Sequence, residues 1–314
     1  MNDITRTYME LAQRGSATAQ RLLAECYADG FGVPSDPEEA MAWYTRAAEQ
    51  GDAEAEFVVA VSYDEGNGLP VIKEEATRWY RRAALHGSTH AQYNLGLAYA
   101  AGDGVRSNRG TALHWFAMAG ELGDRAAQFA AGTICSELGR HDEAEIWFER
   151  AAAQRHGSAA FILGRRHEER SEFEMAALWY ERAADLGHSE ACINLALMHD
   201  RAENHEKAFY WYQRGAQMNQ AKCLCNLGVA CMDGCGTPID VARAIECYTR
   251  AAELGDGIAQ FNLGVCYEEG VGVDQDIVAA HDLYRTAAAN GHRRAKRKLT
   301  PVFIRRALIA AAGG

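Results

Sequence analysis

Several features that mark other classes of protein are scarce in this chain of 314 residues. It has only 5 Pro, and no run of about 18 apolar residues that would cross a bilayer as a helix. The residues that follow Met1 lack the apolar core of a secretory signal, so we expect no export. Positive charge is in the minority, with 32 basic against 43 acidic residues, and the net charge of −11 argues against a nucleic-acid partner.

Sequence motifs of catalysis are absent as well. The chain has no Gly-x-Ser-x-Gly, no phosphate-binding loop that ends in Gly-Lys-Ser/Thr, and no His-Glu-x-x-His. We therefore expect no enzymatic activity and no cofactor.

The nine cysteines contain no Cys-x-x-Cys pair, and their odd number leaves no complete disulfide framework. A cytoplasmic location fits this composition best, because the cytoplasm keeps thiols reduced. Cys135, His167, His199 and Cys231 share one repeated slot, a pattern that invites a zinc interpretation. Packed helices lie ~8–10 Å apart, too far for such side chains to converge at ~2.0–2.3 Å from one ion, so we interpret them as substitutes for a packing tyrosine. Cys235, in a turn between two glycines, is a candidate exposed and reactive thiol.

Tryptophan, by contrast, is present in a regular series. The spacings along the chain are 36, 36, 32, 32 and 32 residues. The members are Trp43, Trp79, Trp115, Trp147, Trp179 and Trp211. An alanine stands three residues before each of them, and Ala244 and Ala280 extend that alanine series to eight units. The five 36-residue units carry a Gly-x-Gly turn that the three 32-residue units lack, so the shorter units have a shortened turn.

Each unit predicts a helical hairpin. In the third unit Ala91, Leu95 and Tyr99 form one apolar stripe at helical spacing, and Ala112 and Trp115 belong to a second. The segment 36–39, Asp-Pro-Glu-Glu, predicts a helix start with an aspartate N-cap and a proline in the first turn.

A single hairpin of this kind cannot bury its own apolar face, so neighbouring hairpins must stack. We predict an all-α solenoid with three parts. Residues 1–15 are an N-terminal half-repeat helix, residues 16–291 hold eight repeats, and residues 292–314 form a basic C-terminal capping helix and tail.

The third unit, from Ala91 through Gly123, carries the pattern Ala-x-x-x-Leu-Gly-x-x-Tyr-x-x-Gly-x-Gly-Val and then Ala-x-x-Trp-Phe-x-x-Ala-x-x-x-Gly. This pattern resembles the Sel-one-like repeat, a relative of the tetratricopeptide repeat, over roughly residues 5–300. The resemblance implies a right-handed α/α superhelix and an adaptor or scaffold that holds a partner on a concave face built by the first helix of each unit. Arg155 and Asn219 depart from the pattern at the glycine that closes a unit.

The candidate partner-binding residues are asparagines that stand three residues after the opening alanine of a unit, namely Asn94, Asn194, Asn226 and Asn262. An amide donates and accepts hydrogen bonds, so it can bind a peptide backbone regardless of its side chains. In tetratricopeptide relatives the matching asparagine grips the main chain of the ligand. The alternative is an asparagine that bonds a neighbouring helix and fixes the stacking.

Charged residues suggest two further surfaces. Acidic pairs on the same helices indicate a groove for basic or polar partners, although solvated helix ends are the simpler interpretation; the pairs are Asp64/Glu65, Glu168/Glu169 and Glu268/Glu269. Residues 292–314 carry +7 and leave −18 on the rest of the chain. The basic cap comprises Arg293, Arg294, Lys296, Arg297 and Lys298, with apolar residues 302–304 beyond it.

Three hypotheses for function follow. The first is a non-enzymatic scaffold or adaptor that binds a partner protein or peptide in the concave groove. The second is a hydrolase or a cell-wall-ligand binding protein, as in a cysteine-rich branch of the family that the chain resembles. The third is docking of the basic cap on an anionic surface. We expect a monomer, with end-to-end stacking as the route to an oligomer.

Overall fold

The computed structural model describes residues 2–299, and over that range it consists of eighteen α-helices without a strand. The chain forms two compact units: unit 1 ends at His156 and unit 2 begins at Gly157. Unit 1 contains α1 (Asp3–Gln13), α2 (Ala17–Asp29), α3 (Pro37–Glu49), α4 (Ala53–Glu65), α5 (Lys73–Leu85), α6 (Thr89–Ala101), α7 (Arg109–Glu121), α8 (Arg125–Glu137) and α9 (His141–Ala153). Unit 2 contains α10 (Gly157–Glu169), α11 (Phe173–Asp185), α12 (Ser189–Arg201), α13 (His205–Gln217), α14 (Ala221–Asp233), α15 (Val241–Glu253), α16 (Gly257–Glu269), α17 (Ile277–Ala289) and α18 (Arg293–Lys298). The apolar residues 302–304 beyond the basic cap lie outside the described residues.

The predicted all-α array of helical hairpins is confirmed. Even-numbered helices are the first helices of the hairpins and are called helices A; odd-numbered helices are called helices B. Helices α2 to α17 all have 13 residues, so each residue can be given a position from 1 to 13 in its helix. Over residues 2–299, every helix is too short or too polar to cross a membrane.

The helix start predicted at Asp36 is confirmed. The Asp36 carboxylate accepts hydrogen bonds from the backbone N–H groups of Glu38 and Glu39, both at 3.1 Å, and Pro37 is the first helical residue. The cap therefore satisfies two of the four N–H groups that the start of a helix leaves unpaired.

Several turns place residues other than glycine in the left-handed region. Arg155 and Asn219, which replace the closing glycine, have φ of 65° and 56°. Ser171 and Glu203, in two shortened turns, have φ of 62° and 56°. The backbone thus keeps the glycine conformation where glycine is missing, at a steric cost of about 1 kcal/mol per residue that asparagine tolerates best.

The longer turns use glycine for close approach as well as for conformation. Gly104 has φ of +64°, and a Cβ atom on it would lie 2.1 Å from the carbonyl oxygen of Lys73. Gly68 takes the same place in the preceding long turn with φ of +79°, but a Cβ atom there would have no neighbour within 4 Å. Of these two turns, only the one with Gly104 packs its glycine against the backbone of a neighbouring helix.

The core depends on an aromatic ring that packs on a small residue. Position 8 of each helix B is Tyr or Phe, and it covers position 8 of the preceding helix A. A Cβ atom on Gly96 would lie 2.6 Å from the ring of Phe116, and one on Gly164 would lie 2.6 Å from the ring of Tyr180. The helical glycine at these two positions therefore lets the ring approach the helix closely, and a Cβ atom there would require the ring to shift.

Polar side chains also join neighbouring helices at position 4 of helix A. The Gln92 amide donates to the carbonyl oxygen of Ala84 at 3.3 Å. In α4 this position holds Glu56, which is fully buried, and its carboxylate pairs with Arg82 at 2.9 Å and with His86 at 2.7 Å. A buried carboxylate is thus compensated by two basic groups from α5 and from the residue that ends it.

Candidate functional site

The candidate asparagines lie at position 6 of helices A, beside the position-8 tyrosine of the preceding helix B. The tyrosine hydroxyl in turn reaches back to position 12 of the helix A before it. Three consecutive helices therefore contribute to one polar cluster, in the order carboxylate, tyrosine, asparagine. We call this arrangement a tyrosine cluster.

In unit 1 the tyrosine cluster consists of Asp64 on α4, Tyr80 on α5 and Asn94 on α6. The Tyr80 hydroxyl donates to the Asp64 carboxylate at 3.2 Å, and Lys73 binds the same carboxylate at 2.6 Å. Burial, and then the charge of Asp64, raise the pKa of Tyr80, while its hydrogen bond with Asn94 acts in the opposite direction. Asp64, Tyr80 and Asn94 line a pocket of about 250 Å³ with Lys73 and Leu97.

Unit 2 repeats the cluster at Tyr180. The hydroxyl donates to Glu168 at 2.7 Å, and Arg201 lies 3.5 Å from the same carboxylate. Burial, followed by the hydrogen bond to Glu168, raises the pKa of Tyr180, and its hydrogen bond with Asn194 lowers it.

The next cluster of unit 2 is centred on Tyr212. Its hydroxyl donates to Asp200 at 2.6 Å, and His205 lies 3.3 Å from that carboxylate. Burial and then the hydrogen bond to Asp200 raise the pKa of Tyr212, against the effect of a hydrogen bond with Asn226. These groups line a pocket of about 220 Å³ that Cys235 also borders.

The cluster at Tyr248 is incomplete. Met232 occupies position 12, where the clusters at Tyr80, Tyr180, Tyr212 and Tyr284 have a carboxylate. Within residues 2–299 the Tyr248 hydroxyl and the Asn262 amide have no hydrogen-bond partner. Burial is the main cause of the raised pKa of Tyr248, which is only 4% exposed. Tyr248 and Asn262 line a pocket of about 410 Å³, and Val229 borders both this pocket and the one at Tyr212.

The last cluster of unit 2 includes the C-terminal helix. Tyr284 donates to Glu268 at 2.5 Å. Lys298 lies at the position where the other tyrosine clusters have asparagine, and its Nζ atom is 2.7 Å from the Glu268 carboxylate. Lys298 also lies over the Tyr284 ring at 5.6 Å from its centroid. Lys298 thus joins the C-terminal helix α18 to α16 and α17. Ala295 on the same helix is fully buried.

The other members of the basic cap have solvent-exposed side chains: Arg293, Arg294, Lys296 and Arg297. The second residues of the acidic pairs, Glu65, Glu169 and Glu269, are exposed too. Glu65 accepts a hydrogen bond from Asn67 at 2.8 Å, and Glu169 lies 3.6 Å from Arg165. The structure therefore separates each acidic pair, with its first carboxylate in a tyrosine cluster and its second at the surface.

A repeat that has phenylalanine instead of tyrosine at position 8 of its helix B also lacks the carboxylate and the asparagine of the tyrosine cluster. Phe116 follows Ala100 at position 12 of α6, and Ala130 takes the asparagine position on α8. In this repeat the hydroxyl, the carboxylate and the asparagine are all missing, as expected when each satisfies the polar groups of the others.

The sequence alone did not identify the position-8 tyrosine as part of the site, nor Asp200 as the acceptor for the Tyr212 hydroxyl. A Tyr that precedes Asn by 14 residues occurs four times, from Tyr80 to Asn94 and again in unit 2 from Tyr180, Tyr212 and Tyr248. The regular spacing was visible in the sequence, but it becomes informative only once the tyrosine hydroxyl is known to lie between two helices A.

The thiols divide into two groups. Cys235 is exposed, whereas the other eight cysteines are buried. Burial raises the pKa of Cys247 to about 11 and that of Cys223 to about 12. Residues 2–299 contain no group of three or more His, Cys, Asp and Glu side chains placed to hold a metal ion.

Comparisons with known proteins agree on the kind of fold. The family model described as Sel1 repeat matches eight segments, residues 17–52, 53–88, 89–124, 126–156, 158–188, 189–220, 221–256 and 257–292. A crystal structure of c5321, a protective antigen in uropathogenic Escherichia coli strains that displays an SLR fold, is 28% identical with a TM-score of 0.77, over 97% of this chain and 70% of that one. A Sel1 repeat protein from Oxalobacter formigenes is 25% identical with a TM-score of 0.78, over 95% of this chain and 90% of that one. No curated protein matches the chain significantly.

Proposed function

Because the chain belongs to the Sel1 repeat family, whose members generally act as protein–protein interaction scaffolds, we propose that it is a non-enzymatic adaptor that binds a partner protein or peptide on the face formed by its helices A. The observation that carries this proposal is the recurrence of one asparagine position at pockets: Asn94, Asn226 and Asn262 each line a cavity beside a tyrosine. Amide and hydroxyl groups at the edge of an apolar pocket are suited to a peptide backbone and its side chain.

The charge of this face favours a basic partner. The chain is acidic outside its C-terminal segment, and Asp233 and Glu269 are exposed at a pocket rim. Complementary charge speeds association and selects against acidic partners. We place the adaptor in the cytoplasm, where the eight buried thiols and Cys235 would stay reduced.

The proposal is tested by panning displayed random linear peptides on the immobilised full-length chain, with an unrelated immobilised protein as the control. We expect peptides that bind the chain and not the control. The selected peptides should lose affinity for a variant with alanine at Asn94, Asn194, Asn226 and Asn262, provided that circular dichroism shows an unchanged helix content. An absence of selective enrichment would contradict the adaptor function.

One observation favours a hydrolytic alternative. Asp200, His205 and Cys235 border the same pocket, and these residue types make up the catalytic groups of many cysteine hydrolases. In the described structure, however, His205 pairs with Asp200 and the Cys235 thiol forms no hydrogen bond with it. Turnover of a β-lactam or a peptide ester by the pure protein, abolished in a Cys235→Ser variant, would establish this activity over the adaptor role alone.

Docking of the basic cap on an anionic surface is tested separately. Arg293, Arg294 and Lys296 are exposed, so a triple change to glutamine removes charge without touching the buried Ala295. Docking predicts that the natural chain binds vesicles with phosphatidylserine and that the variant does not. Equal binding of the two proteins would contradict it.

A further inference from the structure

The pocket at Tyr248 differs from the other tyrosine pockets because its polar groups are not used by the protein. In the cluster at Tyr212, the hydroxyl is bonded to Asp200 at 2.6 Å and the asparagine is bonded to the hydroxyl. At Tyr248 the position-12 residue is Met232, which accepts no such bond. A hydroxyl on a ring that is 96% buried therefore faces a cavity without an acceptor from the described part of the chain.

The walls of the same pocket are apolar. Val229 and Met232 come from α14, Phe261 and Val265 from α16, and Val271 from the turn that follows. Its volume of about 410 Å³ exceeds that of the Tyr212 pocket, about 220 Å³, and lies in the range of pockets that bind ligands. An apolar cavity with a few polar groups at its edge is suited to an apolar side chain of a peptide whose backbone forms hydrogen bonds with those polar groups.

The charge at the rim is also uncompensated. Asp233 and Glu269 border the pocket and are exposed, and neither is in an ion pair within residues 2–299. By contrast, the cluster carboxylates have basic partners in the protein, such as Lys73 for Asp64 and Lys298 for Glu268. The rim therefore presents two acidic groups to a ligand rather than to the fold.

We propose that the Tyr248 pocket is the peptide-anchoring site of this protein and binds one apolar side chain of a segment that carries a neighbouring Lys or Arg. The Tyr248 hydroxyl donates to a peptide carbonyl, which takes the place of the missing carboxylate. The Asn262 amide bonds the adjoining peptide group, and the basic residue pairs with Asp233 or Glu269. This inference rests on the proposed adaptor function and specifies where and by what chemistry it acts.

An anionic group in the same place is disfavoured, although a carboxylate is what the other tyrosines bind. A ligand carboxylate would lie beside Asp233 and Glu269, and like charges at short range repel. A neutral carbonyl accepts the hydroxyl proton without that cost, so a peptide bond fits better than a free acid.

The test uses the full-length chain and a peptide selected by panning, whose affinity is measured for matched variants by isothermal titration calorimetry. Met232→Asp supplies the missing carboxylate to Tyr248 and should weaken binding about tenfold or more, because the hydroxyl is then occupied. Asn262→Ala should weaken binding by a similar factor, while Asn67→Ala, the same change at an exposed turn of unit 1 that does not border the Tyr248 pocket, should alter it less than about twofold.

Two further measurements show whether a loss of affinity arises from the pocket rather than from unfolding, and whether the rim charges contribute to binding. Asn262 has no hydrogen-bond partner within residues 2–299, so Asn262→Ala should keep the urea midpoint of the natural chain. The doubly neutralised variant Asp233→Asn/Glu269→Gln should weaken binding of peptides with a Lys or Arg flank and remove most of its salt dependence.

The outcomes are distinct. A selected peptide that binds Met232→Asp and Asn262→Ala as tightly as the natural chain would overturn the assignment to the Tyr248 pocket and leave the adaptor function standing. Selected peptides with acidic flanks would also contradict the assignment. Failure to select any peptide would instead contradict the adaptor function itself.

Discussion

Two neighbouring repeats of unit 2 each place a tyrosine in the same packing position, but the hydroxyl groups of the two tyrosines differ in their hydrogen bonds. The rings of Tyr212 and Tyr248 are both 4% exposed. Tyr212 is bonded to Asp200 at 2.6 Å and to Asn226, whereas Tyr248 faces Met232 and has no partner within the described residues. The ring thus maintains the repeat, while the residues around its hydroxyl decide whether the repeat has a free binding group.

The difference suggests how a repeat protein acquires a specific site without altering its fold. A carboxylate and an asparagine that bond the tyrosine contribute to stacking of three helices. Loss of the carboxylate alone leaves the packing in place, because the ring rests on Gly228 as it does on the small residues of other repeats. The polar groups then become available to a ligand.

The largest expected loss of stability comes from removing the buried tyrosine ring that the two repeats share. Tyr212→Ala and Tyr248→Ala should each lower the free energy of unfolding by about 3–4 kcal/mol, since each removes a buried ring and leaves a cavity. Urea denaturation followed by circular dichroism measures both. A negligible loss in either variant would show that the ring is not the common element of the two repeats.

An exchange of the position-12 residues tests what the two repeats do not share. Asp200→Met should destabilise the protein by about 1–2 kcal/mol, because the Tyr212 hydroxyl and Asn226 lose their partner. Met232→Asp should stabilise it by about 1 kcal/mol or less, as a new hydrogen bond to Tyr248 forms. The same urea series measures both changes, and a loss of stability in Met232→Asp comparable to that in Asp200→Met would contradict the account.

Sequence reasoning was strongest where a single residue type repeats. The tryptophan and alanine series predicted the number of hairpins. The Asp36 cap and the packing positions of Cys135 and Cys231, which are both buried, are confirmed by the structure. These features depend on local propensity and on burial, which periodicity reveals directly.

The tyrosine clusters were harder to predict because they join three helices. Asn94 was recognised as a candidate on its own helix, but its contact with Tyr80 depends on how α5 and α6 pack. Lys298 was assigned to a basic surface, although its Nζ atom lies 2.7 Å from Glu268 and forms part of the cap contact. Whether the candidate asparagines bind a partner stays a prediction.

A smaller effect concerns the thiols beside the two pockets. Cys235 borders the Tyr212 pocket and is exposed, while Cys266 borders the Tyr248 pocket and is buried. Burial raises the pKa of Cys247 to about 11 and of Cys225 to about 12, so these thiols stay protonated and unreactive at pH 8. We expect iodoacetamide to label one cysteine per native chain, and mass spectrometry should locate the label at Cys235.

The rate of that labelling distinguishes an ordinary thiol from an activated nucleophile. In a His205→Ala variant the rate should stay within about twofold of the natural chain, since Cys235 forms no hydrogen bond to His205. A large fall in rate would show that His205 activates Cys235 and would favour the hydrolytic alternative.

The most direct test of the central claim compares Tyr212→Phe with Tyr248→Phe, because each variant removes one hydroxyl and keeps the ring. Urea denaturation of the full-length chain measures the change in the free energy of unfolding. We expect Tyr212→Phe to lose about 1–2 kcal/mol, because Asp200 and Asn226 are left without their partner, and Tyr248→Phe to change by less than about 0.5 kcal/mol. Equal losses in the two variants would show that the Tyr248 hydroxyl is already bonded in the protein and would contradict the claim that it is free for a ligand.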